Sequence, residues 1–587
     1  MKKNILFTFA ASLAVACSMS SCSDYLDKEP SNELTGPQVF SDWTLLRQFH
    51  WDTYNFLRNG VRRVNGSWMD SATDLAETSY GTGGTRTSFN IGNYYGAGGA
   101  PELTGTWETH YRAIRKCNMI LERIDNVPKL STLSMEDYEK EKTTFKAEAR
   151  FFRAYFYWEM FLRYGPVPIV TTVLDPDGDL LSGYTERPTL KEYVIDFVLK
   201  ELAECEKDLL TYDAATVASE YGRVCQPVAA ALRSRIYLYM ASPRYASESG
   251  VTWENALTAV KYFFDTYGGN YALVTENNQG LGAYNNAWYF TPYQDSNKET
   301  IFFRNDLAAI WGDNAGVPGI YADTPVGEGG NGGLCPSQNL VDMYDMADGS
   351  APFTSYDATG APVYTNGKPS VNAASGYNDA NMWTGRDPRL AATILYQGVQ
   401  WGSGMINVIQ GQRDNPYGNQ NATPTGYYVR KYIPTTILLN EHAGSARRLW
   451  KIIGLAEMML NYAEAENEVN GPDAVVYNML DQIRHRGGIT GNVADRTDLN
   501  SKEAMRNFIH KERTVELAFE EHRWWDVRRW NVAKEALSRD IYGVDVASNG
   551  TVSRKVAQKR VFEDRMYLYP IPEGEVWKTS IKNNPGW

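Results

Sequence analysis

The chain has 587 residues, with 58 Lys+Arg against 70 Asp+Glu and a net charge of −12. That length allows a large core or two closely packed subdomains, and the acidic balance speaks against nucleic acid, which needs a basic footprint. Aromatic residues make up 13%, with 38 Tyr and 16 Trp, whose apolar faces and polar tips suit both packing and contact with hydroxylated ligands.

The N-terminus reads as a targeting segment. Lys2 and Lys3 form a positive start, and the apolar run 5–16 is too short to span a bilayer. Met19-Ser20-Ser21-Cys22 resembles a bacterial lipobox, with cleavage expected before Cys22 and lipid on its thiol. Ala14-Val15-Ala16-Cys17 is a rival site. Residues 1–21 are therefore expected to be a signal peptide, and lipid the only membrane anchor. Residues 22–37 read as a tether containing Pro30, Ser31, Asn32 and Gly36. The later cysteines, Cys117, Cys205, Cys225 and Cys335, are too widely spaced for a zinc pattern or a dense disulfide framework.

A helical region is expected over 38–245. Residues 39–57 read as helix, and 65–100, rich in Gly, Ser, Thr and Asn, as loops. WETHYRAIRKCNMILERI (107–124) is expected to pair with a helix over 139–164. In the run KAEARFFRAYFYWEMFLRYGPVPIV (146–170), Phe151, Ala154, Tyr155, Trp158 and Leu162 recur at helical spacing, and Gly165-Pro166 ends the helix. Residues 189–210 open with Thr189 and Glu192 at capping-box spacing. They should pair with a helix over 223–240, where Pro227 falls in the first turn. Residues 256–264 read as a further helix.

The C-terminal region is taken as 268–587. Its first part, 268–448, loses helical rhythm but keeps many aromatics, with β-prone pieces at 300–304 and 427–432. So long an irregular stretch is usually functional or disordered, and its aromatics argue against disorder. Helices return over 449–530. LAEMMLNYAEAENEVNG ends on Gly471, Asp473 is placed as an N-cap, IRHRGG reads as a helix stop, and 502–530 carries IHKERTVELAFEEHRWWDVRRW. Residues 531–587 form a tail.

No familiar catalytic or metal motif stands out. The six histidines lack metal-ligand spacing, and there is no nucleophile elbow, Walker loop or dinucleotide fingerprint. No metal or cofactor is expected. Paired carboxylates are the sharpest enzymatic suspicion, since glycoside hydrolysis uses two. Glu457 and Glu464 share a helix face, as do Glu512 and Glu516. Arg513, Arg523, Arg528 and Arg529 lie close in sequence to the second pair. Arginine-bound carboxylates are poor general acids because their pKa values fall. We therefore read Glu457, Glu464, Glu512, Arg513, Glu516, Arg523, Asp526 and Arg529 as structural ion-pair residues.

The run EARFFRAYFYWEMFLRYGPVP resembles the SusD/RagB family of outer-membrane lipoproteins, which capture nutrients, usually glycans, for a TonB-dependent transporter. CPSQNLVDMYDMADG (335–349), GRDPRL (385–390), the helices of 455–530, YLYPIP (567–572) and the closing NNPGW (583–587) match the family pattern in order. Ser23-Asp24-Tyr25-Leu26-Asp27 after Cys22 does so too, which favours Cys22 over Cys17. The resemblance implies a mainly α fold with a tetratricopeptide-like helix-hairpin core and a loop-rich subdomain packed on it. It implies glycan capture without catalysis and delivery to a SusC-like channel. Peptide capture of the RagB type and glycoside hydrolysis are the alternatives. Family members bind ligand on early and middle loops. By loop position the candidates here are Asp74, Arg86, Tyr94 and Tyr95, and Trp288, Tyr289, Trp311 and Tyr321.

Overall fold

The computed structural model describes residues 36–58, 60, 68–79, 88–96, 101–175, 177–179, 183–217, 219–275, 297–304, 332–401, 404–415, 422–432 and 450–587. Its principal helices are α1 (Trp43–Trp51), α2 (Pro101–Arg123), α3 (Met135–Tyr164), α4 (Lys200–Glu206), α5 (Gln226–Ala241) and α6 (Trp253–Tyr267) in the first half. The second half adds α7 (Leu455–Asn470), α8 (Ala474–Arg486), α9 (Lys502–Glu516), α10 (His522–Arg529) and a short α11 (Glu573–Thr579). Neighbours pack as α2 on α3, α3 on α4, α4 on α5, α5 on α6, α6 on α7, and α7 on both α8 and α9. The result is a mainly α stack of helix pairs that runs through both halves of the chain. Trp158 meets Tyr239 at 5.4 Å between α3 and α5. Phe264 meets Tyr462 at 5.6 Å between α6 and α7, carrying the stack from one half to the other.

Helix α3 is the spine. Ser134 caps its start through the Asp137 N–H. From Phe151 to Tyr164 every residue is buried, charged ones included, so this half is enclosed on all sides and carries no single apolar stripe. Its end is set by Gly165 at φ +71, a left-handed conformation in which a side chain would be strained. The last carbonyl does not go unpaired. Tyr164 O accepts from Asn584 Nδ2 at 3.0 Å and from Arg187 Nη2 at 2.6 Å. The NNPGW motif thus pins the C-terminus to the spine.

Local signals place several boundaries. Thr189 and Glu192 form the reciprocal cap, with Glu192 Oε2 accepting from Thr189 N at 2.8 Å and Thr189 Oγ1 from Glu192 N at 3.2 Å. A π-helical stretch (Lys191–Leu199) then leads into α4. Asp473 accepts from the N–H groups of Val475 and Val476. Pro227 sits in the first turn of α5.

Two readings change. Helix was expected from residue 449, but Trp450–Gly454 is a strand, β4, paired antiparallel with β2 (Thr300–Arg304). Tertiary pairing with a segment some 150 residues earlier overrides the local pattern. Residues 502–530 are also broken between α9 and α10, where Phe519 and Glu521 adopt positive φ. Elsewhere strands are short: β1 (Ala76–Glu77) pairs with β3 (Cys335–Pro336), and the tail folds into a hairpin of β5 (Ile541–Val546) and β6 (Val552–Gln558). Cys117, Cys205, Cys225 and Cys335 are all buried. No helix among the described residues is long and apolar enough to cross a membrane.

Ion pairs fill the space between α7, α9 and α10. Glu464 accepts from Arg529 at 2.5 and 2.7 Å and from Trp530 Nε1 at 2.9 Å. Asp526 accepts from Arg529 Nε at 2.7 Å and from Arg513 Nε at 3.2 Å. Removing one partner leaves the other charged and dry. Glu464→Ala should therefore lose roughly 3–5 kcal/mol of stability in denaturant unfolding; a loss below about 1 kcal/mol would show that the pair contributes little.

Candidate ligand-binding surface

The short sheets pair residues from within the segments that the sequence marked as loops. In β1–β3, Glu77 faces Cys335. The chain enters 80–87 just after Glu77 and leaves 305–331 just before this pairing. In β2–β4, Arg304 faces Trp450. Trp68 stacks on Tyr432 at 5.2 Å and meets Trp450 at 6.0 Å.

The root of the early segment is held from the far end of the chain. Asp74 is fully buried and accepts from Arg523 Nε at 2.9 Å and Nη2 at 2.7 Å. Burial opposes its ionisation, but Arg523, with Arg539 and Arg560 behind, keeps its carboxyl below the usual range. Ser337 Oγ donates to Asp74 O at 2.6 Å, tying the β3 side to the same residue. Arg560, also buried, donates to the carbonyls of Thr73, Ala76 and Ser71 at 2.6, 2.7 and 3.1 Å and to Glu77 at 3.2 Å.

These contacts reassign two expected ligand residues. Asp74 is a buried anchor whose oxygens are occupied by Arg523, so it offers nothing to a ligand. Tyr94 is packed between Phe89 at 5.1 Å and Trp587 at 5.1 Å and is 3% exposed. Tyr95, next to it, is 58% exposed. Arg86, Trp288, Tyr289, Trp311, Tyr321 and the lipidation candidate Cys22 lie outside the described residues.

One pocket opens at the end of β2. It has about 390 Å³ and is lined by Trp51, Tyr54, Tyr221 and Phe303, with Arg223, Arg304 and Asn55 among its polar groups. Arg223 lies 4.8 Å over the Trp51 ring while paired to Glu148. Flat rings beside fixed polar groups are the wall a hydroxylated ligand needs. Trp51 and Tyr221 were missed in the sequence because one ends a helix and the other follows one, far from the loop regions.

The acidic pairs are bound. Glu512 accepts from Arg389 at 2.5 Å and Arg484 at 2.9 Å. Glu516 accepts from Arg389 at 2.9 Å and also pairs with Arg486. Glu457 accepts from Arg235 at 2.6 and 2.5 Å. Burial works against ionisation of Glu512, yet Arg389 and Arg484 hold its carboxyl below the usual range. Its partners come from the GRDPRL and IRHRGG motifs, not from the arginines nearest in sequence. Arg528 pairs with no carboxylate in the described residues; its guanidinium stacks on Trp524 at 3.5 Å. No group of three or more His, Cys, Asp or Glu among the described residues could hold a metal ion.

Comparison with known proteins reads this architecture. The SusD family model matches residues 298–587. A second model, described as starch-binding associating with outer membrane, matches 24–238. The chain belongs to the SusD/RagB family. A SusD-like protein of Bacteroides fragilis has the same fold, with TM-score 0.75, 27% identity and coverage of 95% of this chain and 100% of the other. A SusD-like carbohydrate-binding protein of the same organism matches with TM-score 0.69 and 24% identity, covering 91% and 98%. SusD-like protein P38 of Formosa agariphila is 23% identical, covering 91% of this chain and 93% of the relative.

In this SusD-family chain one buried acid stands out beside the anchored root. Asp70 is fully buried, and its Oδ2 accepts only the Glu521 N–H at 3.2 Å while Oδ1 has no partner among the described residues. Burial and then the Glu521 and Glu520 charges push its pKa up to about 7, with Lys431 opposing. An unfolded Asp titrates near ~3.9. Between those values the folded state holds a proton that the unfolded state has lost, so this group's contribution to stability falls as pH rises from about 4 to 7. Asp70→Asn should remove that slope. Its stability relative to the native chain should improve by on the order of 3 kcal/mol from pH 4 to 8 in denaturant unfolding; parallel pH profiles would refute the assignment.

Proposed function

We propose that this protein binds an oligosaccharide at the cell surface, without catalysis, and passes it to a SusC-like TonB-dependent transporter. The observation that carries the reading is that the two short sheets and the Trp68, Tyr432 and Trp450 contacts fix the residues flanking 61–67, 80–87, 305–331 and 433–449 on the helical stack. The family models support it, as does the SusD-like neighbour from Bacteroides fragilis whose description is carbohydrate binding. A laminarin-binding SusD-like protein shares the fold, with TM-score 0.56 and 21% identity. The paired carboxylates named above favour capture over hydrolysis, because each has its oxygens on buried arginines.

Membrane attachment would come from lipid on Cys22. Stable anchoring takes more than one acyl chain, which lipoprotein processing supplies. Cys22→Ala should release the protein from the membrane fraction or leave it as precursor. Mature lipoprotein from that variant, with loss in Cys17→Ala, would move the site to Cys17.

Glycan and peptide panels on purified protein distinguish this reading from RagB-type capture; retention of peptides alone would overturn it. With a bound glycan in hand, Trp288→Ala, Trp311→Ala and Tyr321→Ala are compared by calorimetry and melting. At least one should lose about 2 kcal/mol, near thirtyfold in affinity, at unchanged Tm. The same glycan incubated with protein should yield no new reducing ends, and turnover sensitive to Glu512→Gln in a folded variant would make the protein an enzyme.

A further inference from the structure

The C-terminal helix α11 carries Trp577, which is 76% exposed. A tryptophan left so open on a folded surface has a large apolar face in water without packing in return. Tyr95, on the segment bonded to the start of α11, is 58% exposed. Glu573 N donates to Gly96 O at 3.0 Å, joining the first residue of α11 to the residue after Tyr95. Gly96 permits that approach, since a Cβ there would stand 2.8 Å from Ile571 O and 3.2 Å from Glu573 N. Trp577 lies four residues beyond Glu573 and so shares its face of the helix.

Around the rings the surface is polar. Glu573 and Glu575 precede Trp577, and Lys578 follows it, paired with Glu575 at 3.1 Å. Exposed Asn93 precedes Tyr95 by two. The centre of a protein–protein interface is depleted of charge. Flat rings edged by carboxylate, ammonium and amide groups match a sugar instead, whose C–H face stacks while its hydroxyls bond at the rim.

We propose that Tyr95 and Trp577 form a sugar-stacking platform that holds part of an oligosaccharide chain. This rests on the glycan reading above and extends it to the C-terminal tail, which carried no ligand residue in the sequence.

The test is affinity electrophoresis of the full mature chain through native gels containing laminarin, amylopectin, xylan or inulin. Trp577→Ala and Tyr95→Ala are compared with the native protein, and melting temperatures are measured alongside. In the gel that retards the native protein, each alanine variant should bind about tenfold more weakly at unchanged Tm. Trp577→Phe should keep most of the retardation, because a flat ring remains. Equal retardation of the native protein and both alanine variants would overturn the platform and leave the glycan reading intact. No retardation of the native protein in any gel would count against the glycan reading, and the platform would fall with it.

Discussion

The ion pair between Asp74 and Arg523 joins residues 449 positions apart, and the placement of the early loop region depends on it. Two parallel N–H···O bonds set the guanidinium against the carboxylate in a single geometry. Arg523 stands on α10, which is fixed in turn by Arg529 and Asp526 against α7. Asp74 lies two residues before β1. The helical stack therefore dictates where β1 begins. Arg560 finishes the task by taking up the carbonyls of Thr73 and Ala76 that no sheet partner satisfies.

The same physics explains the density of buried charge in this chain. Arg389 alone touches Asp387, Glu512 and Glu516, and Arg484 links Glu512 to Asp345. Burial raises the cost of each charge, and most of these groups meet it with a partner of good geometry. Asp345 shows the balance: burial opposes its charge, yet Lys511, Arg484 and Arg496 hold its pKa at about 2. Lys511 falls to about 8, because burial outweighs the help from Asp345. Charges held this firmly lock helices together and are badly placed to move protons for a substrate.

A helical stack that carries irregular segments is a common division of labour. Function resides on irregular segments, and the scaffold fixes their ends. Here the scaffold is closed by its own C-terminus. Asn584 bonds the carbonyls of Tyr164 and Tyr569, and Trp587 bonds Arg565 O at 2.9 Å. The tail is thus a structural part of the surface beside residues 88–96, which is why α11 can contribute a ring there.

The sequence by itself determined what local chemistry decides. The cap at Thr189–Glu192, the stop at Gly165, the N-cap at Asp473 and the helical runs of α2, α3, α5 and α6 follow from hydrogen bonds and backbone freedom within a few residues. Family motifs, read in order, determined the fold class. The tertiary structure decided what depends on distant partners. Residues 450–454 became a strand because β2 was there to pair with it. Asp74 and Tyr94 moved from the expected ligand set into the interior, since loop position carries no information about burial. Glu512 took its arginines from motifs more than a hundred and about thirty residues away. Burial and long-range pairing are properties of the packed chain, and no local window of sequence contains them.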